Sequence, residues 1–468
     1  MKKEHSDTII APSTPPGHSA IAVLRISGSQ AIEWVNQRFP GKDLSRVKTH
    51  TVHFGKITDE KGKVLDECLV TVFKAPHSYT CEDTVEISCH GSPYIVQEML
   101  DLFSRQGARP AERGEFTLRA FLNGRLDLSQ AEAVADLIQA DSSAGHEMAL
   151  RQMKGGFSDQ IRHLRQELID FAALIELELD FSEEDVEFAD RKKLEDLVKK
   201  IVSVVTDLME SFRLGNVMKN GIATVIAGRP NAGKSTLLNA LLNEDRAIVS
   251  EIAGTTRDTI EEILNIKGLQ FRLIDTAGIR EAQDSIEKIG VEKTMEKIRK
   301  ASLVIYLFDV ITTPPEQLWE DVDRFLHGSA VLTAGSKMVF VANKMDLNPY
   351  TQPETYYRNG LIGRDNLITA SALHQMNIEA LKDVLYQTIV EDPKLLDKTL
   401  VTNSRHYEAL FKTNQSLQSV LDGLSGGISG DILSLDIRQA LYHLGTITGE
   451  VSNEDLLDSI FSRFCIGK

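Results

Sequence analysis

The sequence predicts a multidomain fold: an α+β N-terminal domain, an α-helical bundle domain, and an α/β domain inserted into the helical one. At 468 residues the chain has room for about three domains, each with its own core. Apolar residues at helical spacing occur both before and after a central segment rich in strand-like runs. Because the ends of a domain usually lie close together, we interpret the central segment as an insertion. The predicted boundaries are 1–122, 123–220, 221–390 and 391–468.

Composition and charge limit the class of protein. Hydrophobic residues make up 42% and charged residues 26% of the chain, which is ordinary for a water-soluble protein. No apolar run approaches the ~20 residues that cross a bilayer, and the N-terminus lacks the apolar stretch of a secretory signal. The four cysteines show no metal-site or disulfide spacing, so we expect a cytoplasmic protein. A net charge of −16 argues against a surface that binds nucleic acid throughout.

Strand-like runs dominate the first domain. Residues 20–26, 53–57, 64–73 and 84–88 are predicted strands, and residues 94–106 a helix. Arg25 lies inside an apolar strand, so it must either reach the edge of the sheet or pair with an anion, and structural pairing is the simpler interpretation. Five arginines close in sequence are either solvated or form an anion site. They are Arg105, Arg109, Arg113, Arg119 and Arg125.

Long helices are predicted on both sides of the central segment. Apolar residues recur at spacings of three and four within residues 161–179 and 194–208, and again within 417–464. The acidic stretch 182–190 is most simply a solvated turn between two of these helices.

A glycine-rich loop opens the central segment. Residues 222–236 read IATVIAGRPNAGKST, a strand-like run, then G-x-x-x-x-G-K-S, then a helix-forming stretch. In that context backbone N–H groups and the helix start can bind phosphate. Lys234 would contact the β- and γ-phosphates, and the Ser235 hydroxyl would bind Mg²⁺. The pattern predicts a nucleotide site in a Ras-like P-loop domain.

Three further motifs follow at predicted strand ends. DTAG at residues 275–278 is a D-x-x-G element, whose aspartate supports the Mg²⁺ shell and whose glycine N–H can reach the γ-phosphate. NKMD at residues 343–346 places a carboxylate, Asp346, that can accept from guanine N1–H and the 2-amino group, whereas adenine offers neither in that arrangement. Ser371 and Ala372 follow the last strand and can meet the guanine carbonyl. The order of the motifs predicts a GTPase domain.

The residues alone do not identify the group that orients the attacking water in GTP hydrolysis. Ile279 occupies the place where Ras-like enzymes have a glutamine, and it cannot form that hydrogen bond. The candidate carboxylates are Glu281, Asp284 and Glu287. Arg257 could be an internal arginine finger or a structural partner of Asp258.

IAGTTRD, GRPNAGKST and DTAGIRE resemble the TrmE-Era-EngA-YihA-Septin group of GTPases. The terminal FCIGK, the N-terminal TPPG and LRISG, and GEFTLRAFLNGRLDLSQAEAVADLI of residues 114–138 are similar to the MnmE (TrmE) family of tRNA modification GTPases. The resemblance therefore covers all three domains. A ribosome-assembly GTPase would share the central domain only.

The resemblance implies a set of site residues. Glu287 corresponds to the catalytic, water-orienting glutamate. Mg²⁺ would lie on Ser235 and Thr256, and K⁺ on Asn231, Ser250, Ile252 and Thr255. A 5-formyl- or 5,10-methylene-tetrahydrofolate would contact Arg25, Glu82, Arg125 and Lys468 in the N-terminal domain. The implied GTP contacts are Asn231, Ala232, Gly233, Lys234, Ser235, Thr236, Ser250, Glu251, Ile252, Ala253, Gly254, Thr255, Thr256, Asp275, Thr276, Ala277, Gly278, Asn343, Lys344, Asp346, Ser371, Ala372 and Leu373.

The resemblance also implies a reaction and partners. The expected protein is a homodimer, joined through the N-terminal domain, with potassium-activated GTP hydrolysis. With a flavoprotein of the MnmG type, which binds FAD and would complete a heterotetramer, it would add a carboxymethylaminomethyl or aminomethyl group to C5 of the wobble uridine of certain tRNAs. The alternative is a GTP-dependent switch or assembly factor without folate chemistry.

Overall fold

The computed structural model describes residues 7–180, 191–242, 262–274, 301–327, 336–390, 399–426, 428 and 430–468. The chain divides into two compact units. The first comprises Met1–Gln139, Ala149–Val202 and Ala409–Lys468, and the second comprises Ala140–Met148 and Ser203–Glu408. Each unit contains a six-stranded sheet. No helix among the described residues is both long enough and apolar enough to cross a membrane.

The sheet of the first unit is largely antiparallel. Its strands, in the order β3-β4-β5-β2-β1-β6, are β1 (Ile9–Pro12), β2 (Ser19–Ser27), β3 (Thr51–Thr58), β4 (Val64–Phe73), β5 (Thr84–Gly91) and β6 (Arg109–Pro110). Among the described strands of this sheet, only the pairing of β1 with the two-residue β6 is parallel. The β3–β4 hairpin turns at residues 59–63, where the Asp59 amide donates to the Lys63 carbonyl at 2.9 Å. The predicted strands are confirmed: the strand at 64–73 has the predicted bounds, and the other three are two or three residues longer than predicted.

Helices cover one face of this sheet. They are α1 (Ala31–Arg38) and α2 (Pro93–Gln106), and α3 (Glu115–Leu122) follows β6. Val35 of α1 and Leu102 of α2 are fully buried against alternate strand residues such as Leu24 and Ile87. The alternation of buried and exposed side chains along the strands is that of a sheet with one face on the core.

Helices predominate in the chain between the two sheets and after the second. Between them are α4 (Leu128–Gln139), α5 (Ser143–Met153), α6 (Gly156–Asp180) and α7 (Arg191–Asn220). The last three helices are α11 (Ser404–Ser425), α12 (Gly430–Thr448) and α13 (Glu454–Phe461). Helix α6 packs on α12, where Arg165 contacts the Leu441 carbonyl and pairs with Glu450. The first unit thus contains chain from both sides of the central segment, while the boundaries given above stay predictions.

The sheet of the second unit is buried on both faces. Its order is β12-β11-β10-β7-β9-β8, with β7 (Ile222–Gly228), β8 (Glu262–Ile266), β9 (Leu269–Leu273), β10 (Leu303–Asp309), β11 (Lys337–Asn343) and β12 (Leu367–Thr369). Apart from the β8–β9 hairpin its described pairs are parallel. Along β10, Ile305 and Leu307 enter one core while Tyr306 and Phe308 enter another. Helices α8 (Lys234–Leu242), α9 (Pro315–His327) and α10 (Ile378–Ile389) complete this α/β domain.

Candidate functional sites

The P-loop joins β7 to α8, and its backbone requires glycine at two positions. Gly228 and Gly233 have φ values of 145° and 99°. A Cβ on Gly228 would lie 2.0 Å from the Leu307 carbonyl oxygen, and one on Gly233 would lie 2.4 Å from Asn343 Nδ2. Asn231 between them also has a positive φ, of 60°. The loop therefore lies tightly against β10 and β11, at the carboxyl edge where ligands bind in α/β sheets.

Lys234 contacts the backbone of the loop that precedes it. Its Nζ donates to the carbonyl oxygens of Gly228 and Arg229, both at 2.9 Å. Burial lowers the pKa of Lys234. The oxygens of a phosphate group can replace these two carbonyls as acceptors, with a more favourable charge interaction. The Arg229 side chain is fixed separately, by a bidentate ion pair with Asp321 of α9.

The Asn343 side chain connects the P-loop to the loop that follows β12, which contains Ser371 and Ala372. Its Nδ2 donates to the Ala232 carbonyl at 2.8 Å, and its Oδ1 accepts from the Ala372 amide at 3.0 Å. Lys344, with a φ of 66°, pairs with Asp309 at 2.8 Å. The first two residues of the N-K-x-D motif therefore build the site, since each contacts protein groups from other loops.

Asp346 is the residue predicted to accept hydrogen bonds from the guanine base. It follows the end of β11, and its side chain is 16% exposed. The imidazole of His374 lies beside it, with Nε2 3.7 Å from Asp346 Oδ2. Leu373 beside it is 72% exposed. The structure thus brings Lys234, Asn343 and Asp346 to one edge of one sheet, with Ser235 and Thr236 in the first turn of α8.

The remaining predicted residues of this domain lie outside the described residues. They are Ser250, Glu251, Ile252, Ala253, Gly254, Thr255, Thr256, Asp275, Thr276, Ala277, Gly278 and Glu287, with the alternatives Arg257, Asp258, Ile279, Glu281 and Asp284. Their roles stay predictions.

A second candidate site is a cavity of about 630 Å³ in the N-terminal domain. Its volume is that of a small-molecule or cofactor pocket. It is lined by Thr49, His50, Phe73, Pro76, His77, Ser78, Tyr79, Cys81, Thr84, Glu86, Asn123, Gly124 and Arg125.

Two predicted arginines contact one ring of this cavity. The guanidinium of Arg25 lies 5.3 Å from the centroid of Tyr79, and that of Arg125 lies 5.6 Å from it. Arg25 also donates to Glu86 Oε1, from Nε at 2.9 Å and from a terminal nitrogen at 2.8 Å. The expected structural pairing of Arg25 is confirmed, and the Arg25 side chain contacts two lining residues of the cavity, Glu86 and Tyr79.

The end of the chain lies against the same domain. The Phe116 amide donates to the Lys468 carbonyl at 3.2 Å, and the Gly467 carbonyl lies 3.4 Å from both Ser13 Oγ and an Arg25 nitrogen. Burial and the nearby charge of Arg25 lower the pKa of Lys468. Residues 25, 125 and 468 are therefore brought together by the fold although the sequence separates them widely.

Glu82, the fourth residue of the predicted folate site, is held by hydrogen bonds from Ser27 and Arg119. Its Oε2 accepts from Ser27 Oγ at 2.8 Å, and its Oε1 accepts from Arg119 at 3.1 Å. Arg119 is 1% exposed and also pairs with Asp7 and Glu115. Neither alternative offered for the arginine cluster describes Arg119, because it is a buried structural cation.

Sequence reasoning missed Glu86 and Tyr79. A signal for Glu86 was present, since the apolar runs around Arg25 and Glu86 each contain one charged residue, and antiparallel pairing places the two opposite each other. Tyr79 carried no comparable signal, because its role arises from two arginines far from it in sequence.

The parallel sheet, the P-loop and the Asn343–Asp346 edge define the class: a guanine-nucleotide-binding P-loop protein. A family model described as the MnmE helical domain matches residues 128–465, and one described as the GTP-binding protein TrmE N-terminus matches residues 8–125. The chain belongs to the MnmE family of tRNA modification GTPases.

Relatives of the same family match nearly the whole chain. The tRNA modification GTPase MnmE of Cytophaga hutchinsonii is 56% identical over 464 residues, which cover 99% of this chain and 98% of that one. Those of Christiangramia forsetii and Flavobacterium johnsoniae are each 51% identical, over 474 and 471 residues, and cover 99% of this chain and 99% and 100% of their own.

Proposed function

We propose that this chain is a potassium-activated GTP hydrolase that acts in the cytoplasm, with an MnmG-type FAD protein, in modifying tRNA. The group added would be carboxymethylaminomethyl or aminomethyl, at C5 of the wobble uridine, with a tetrahydrofolate one-carbon unit. The observation that carries the GTPase part is the set Lys234, Asn343 and Asp346 at one sheet edge, in a member of a tRNA modification GTPase family.

For hydrolysis we propose Mg²⁺ on Ser235 and Thr256, and K⁺ on Asn231, Ser250, Ile252 and Thr255. The hydroxyl of Ser235 suits Mg²⁺, because that ion prefers hard oxygen ligands. Glu287 would orient the attacking water. A cation beside the phosphates would stabilise the charge that develops in the transition state.

The potassium proposal is tested by GTP hydrolysis in K⁺ and in Na⁺ at equal ionic strength. We expect turnover to fall by about 10- to 100-fold in Na⁺. Equal rates in the two salts would remove K⁺ from the proposal and leave the GTP site in place.

The role of Glu287 is tested by Glu287→Ala. We expect most turnover to be lost while GTP affinity stays within about threefold of the parent, because a water-orienting group acts mainly in the transition state. Undiminished hydrolysis would reject the assignment.

For the N-terminal cavity we propose 5-formyl- or 5,10-methylene-tetrahydrofolate as the ligand. Its volume of about 630 Å³ fits a ligand of that size. Arg25, Arg125 and Lys468 supply positive charge for the two carboxylates of the folate tail. Glu82, which accepts hydrogen bonds from Arg119 and Ser27, would contact the folate as well. We also propose that the protein is a homodimer.

Folate binding is tested by titrating the intact chain and Arg25→Ala with 5-formyl-tetrahydrofolate. We expect the variant to bind at least tenfold more weakly, since a charge-assisted contact is removed. An intact chain without measurable affinity would favour a GTP-dependent switch without folate chemistry.

A further inference from the structure

The P-loop contains an arginine whose ion pair the proposed function does not yet use. Arg229 follows Gly228 directly, at the start of the loop. Its Nη2 donates to Asp321 Oδ1 at 2.8 Å, and its Nε donates to Asp321 Oδ2. A bidentate pair of this kind fixes direction as well as distance, because two parallel hydrogen bonds form between planar groups. The Arg229 side chain is therefore held in one orientation against helix α9.

Helix α9 is a firm support for this pair. Leu318 and Val322 are fully buried, in a core that also contains Val304 and Phe308 of β10. Asp321 lies between the two in sequence, and its side chain is 11% exposed. Partial burial reduces the screening of a pair by water and salt, so the pair contributes more than one between two fully exposed side chains. The P-loop is thus tied to the sheet through a helix that is packed on it.

The Arg229 backbone has other contacts, one of which a phosphate would remove. The Arg229 carbonyl accepts from Lys234 Nζ at 2.9 Å and from the Ala232 amide at 3.3 Å. A phosphate that draws Lys234 to its own oxygens takes the first of these donors from the carbonyl. The pair with Asp321 does not involve Lys234, so it remains when the nucleotide is bound. It then has a larger share in holding the start of the loop.

We propose that Asp321 is a positioning residue for the phosphate-binding loop, which it holds through Arg229 in the conformation that binds a guanine nucleotide. This rests on the proposed GTP site and adds a residue that lies outside the GTPase motifs of the sequence. The backbone N–H groups of such a loop contact the α- and β-phosphates, which GTP and GDP share. Loss of the pair should therefore weaken both nucleotides alike and change the chemical step less.

Asp323 offers a matched control on the same helix. It pairs with Arg358 at 2.8 Å, and Arg358 belongs to the chain before β12 and also donates to the Trp319 carbonyl at 3.3 Å. Asp321→Asn and Asp323→Asn each remove one negative charge from α9 and one charged partner from an arginine. Only the first of these arginines lies in the P-loop. A difference in nucleotide affinity between the two variants therefore excludes a general effect of net charge.

The test combines titrations with GTP and GDP, steady-state GTPase kinetics and thermal unfolding. We expect Asp321→Asn to bind both nucleotides about 5- to 30-fold more weakly and to raise KM for GTP to a similar extent, with kcat within about threefold of the intact chain. Asp323→Asn should stay within about twofold in affinity. A difference of less than threefold between the folded variants would overturn the inference. A loss confined to kcat would also overturn it, because a loop held for binding must act on affinity.

Arg229→Ala shows whether Asp321 acts through Arg229. In that background Asp321→Asn should change GTP affinity by less than about twofold, since the contact that it removes is already absent. Asp321 keeps a second cation in Arg229→Ala, because Arg324 Nη1 lies 3.9 Å from its Oδ1. An undiminished effect of Asp321→Asn in this background would contradict the proposed route through Arg229.

Failure of the proposed GTP site is separable from failure of this inference. If the intact chain binds neither GTP nor GDP, the GTP site itself falls. If Asp321→Asn does not fold, Arg229→Lys decides, because lysine keeps the positive charge opposite Asp321 but cannot form a bidentate pair. GDP binding at least threefold weaker in Arg229→Lys supports the inference, and a smaller change rejects it.

Discussion

The nucleotide site and the N-terminal cavity differ in the contacts that hold their cationic side chains, Lys234 and Arg25. Lys234 donates to two carbonyls of its own loop, within six residues of itself. Arg25 contacts a carboxylate on the neighbouring strand, two aromatic rings and the carbonyl of Gly467, more than four hundred residues away in sequence. The contacts of the P-loop lysine are local in sequence, whereas those of Arg25 require segments from both ends of the chain to be folded together.

The difference affects how each site responds to substitution. A local loop loses its function when one side chain or one backbone conformation changes. A site assembled from distant segments loses affinity in smaller steps, because each contact supplies only part of the binding free energy. The following predictions use this contrast, from the largest expected effect to the smallest.

Lys234→Ala should lower kcat/KM for GTP by about 10²- to 10³-fold, because a preorganised charge on the phosphates is removed. Lys267→Ala is a matched control in the same domain, since Lys267 pairs with Asp383 at the surface. Steady-state GTPase kinetics measure both. If the two variants were equally active, the P-loop lysine would not have the role given to it.

Asp346→Asn should weaken GTP binding by about 10²-fold and improve binding of xanthosine triphosphate. The asparagine amide presents a donor to the guanine 2-amino group, whereas xanthine offers a carbonyl there. Nucleotide titrations of Asp346→Asn and of the surface variant Asp365→Asn provide the comparison. Unchanged preference for GTP would show that the base lies elsewhere.

Gly233→Ala should destabilise the protein by about 1–3 kcal/mol, because the new Cβ meets Asn343 in a backbone of positive φ. Gly360→Ala is the control, since Gly360 also has a positive φ but a Cβ added there would meet no atom within 4 Å. Thermal unfolding of the two separates the steric contact from the backbone strain. Equal losses of stability in Gly233→Ala and Gly360→Ala would mean that the contact with Asn343 does not destabilise the protein.

The smallest effect concerns pH and Lys468. Burial and Arg25 lower the pKa of Lys468, so its positive charge is present at low pH and is lost at a lower pH than that of an ordinary lysine. Folate affinity should therefore fall about threefold to tenfold between about pH 7 and pH 10. Lys468→Arg should remove most of this decrease, because arginine stays charged throughout. If folate affinity falls equally with rising pH in the intact chain and in Lys468→Arg, the charge of Lys468 does not control the pH dependence of folate affinity.

The same contrast explains what could be predicted from sequence. The P-loop and the N-K-x-D motif have fixed spacings, because a strand, a tight loop and a helix start impose them, so Lys234 and Asp346 were found from the residues. Arg25 and Arg125 stand out from the residues alone, but their assignment to a folate site, like that of Lys468, comes only through the resemblance to a family. Glu86 and Tyr79 were missed, and Arg119 proved to be structural, because these roles depend on strand register and on burial at long range.

Separate titrations of the intact chain, Lys234→Ala and Arg25→Ala with GTP and with 5-formyl-tetrahydrofolate test the central claim most directly. The claim is that one chain contains two distinct sites, one for each ligand. We predict that Lys234→Ala loses GTP affinity and keeps folate affinity, while Arg25→Ala does the reverse. Loss of both ligands in either folded variant, or of neither, would contradict it.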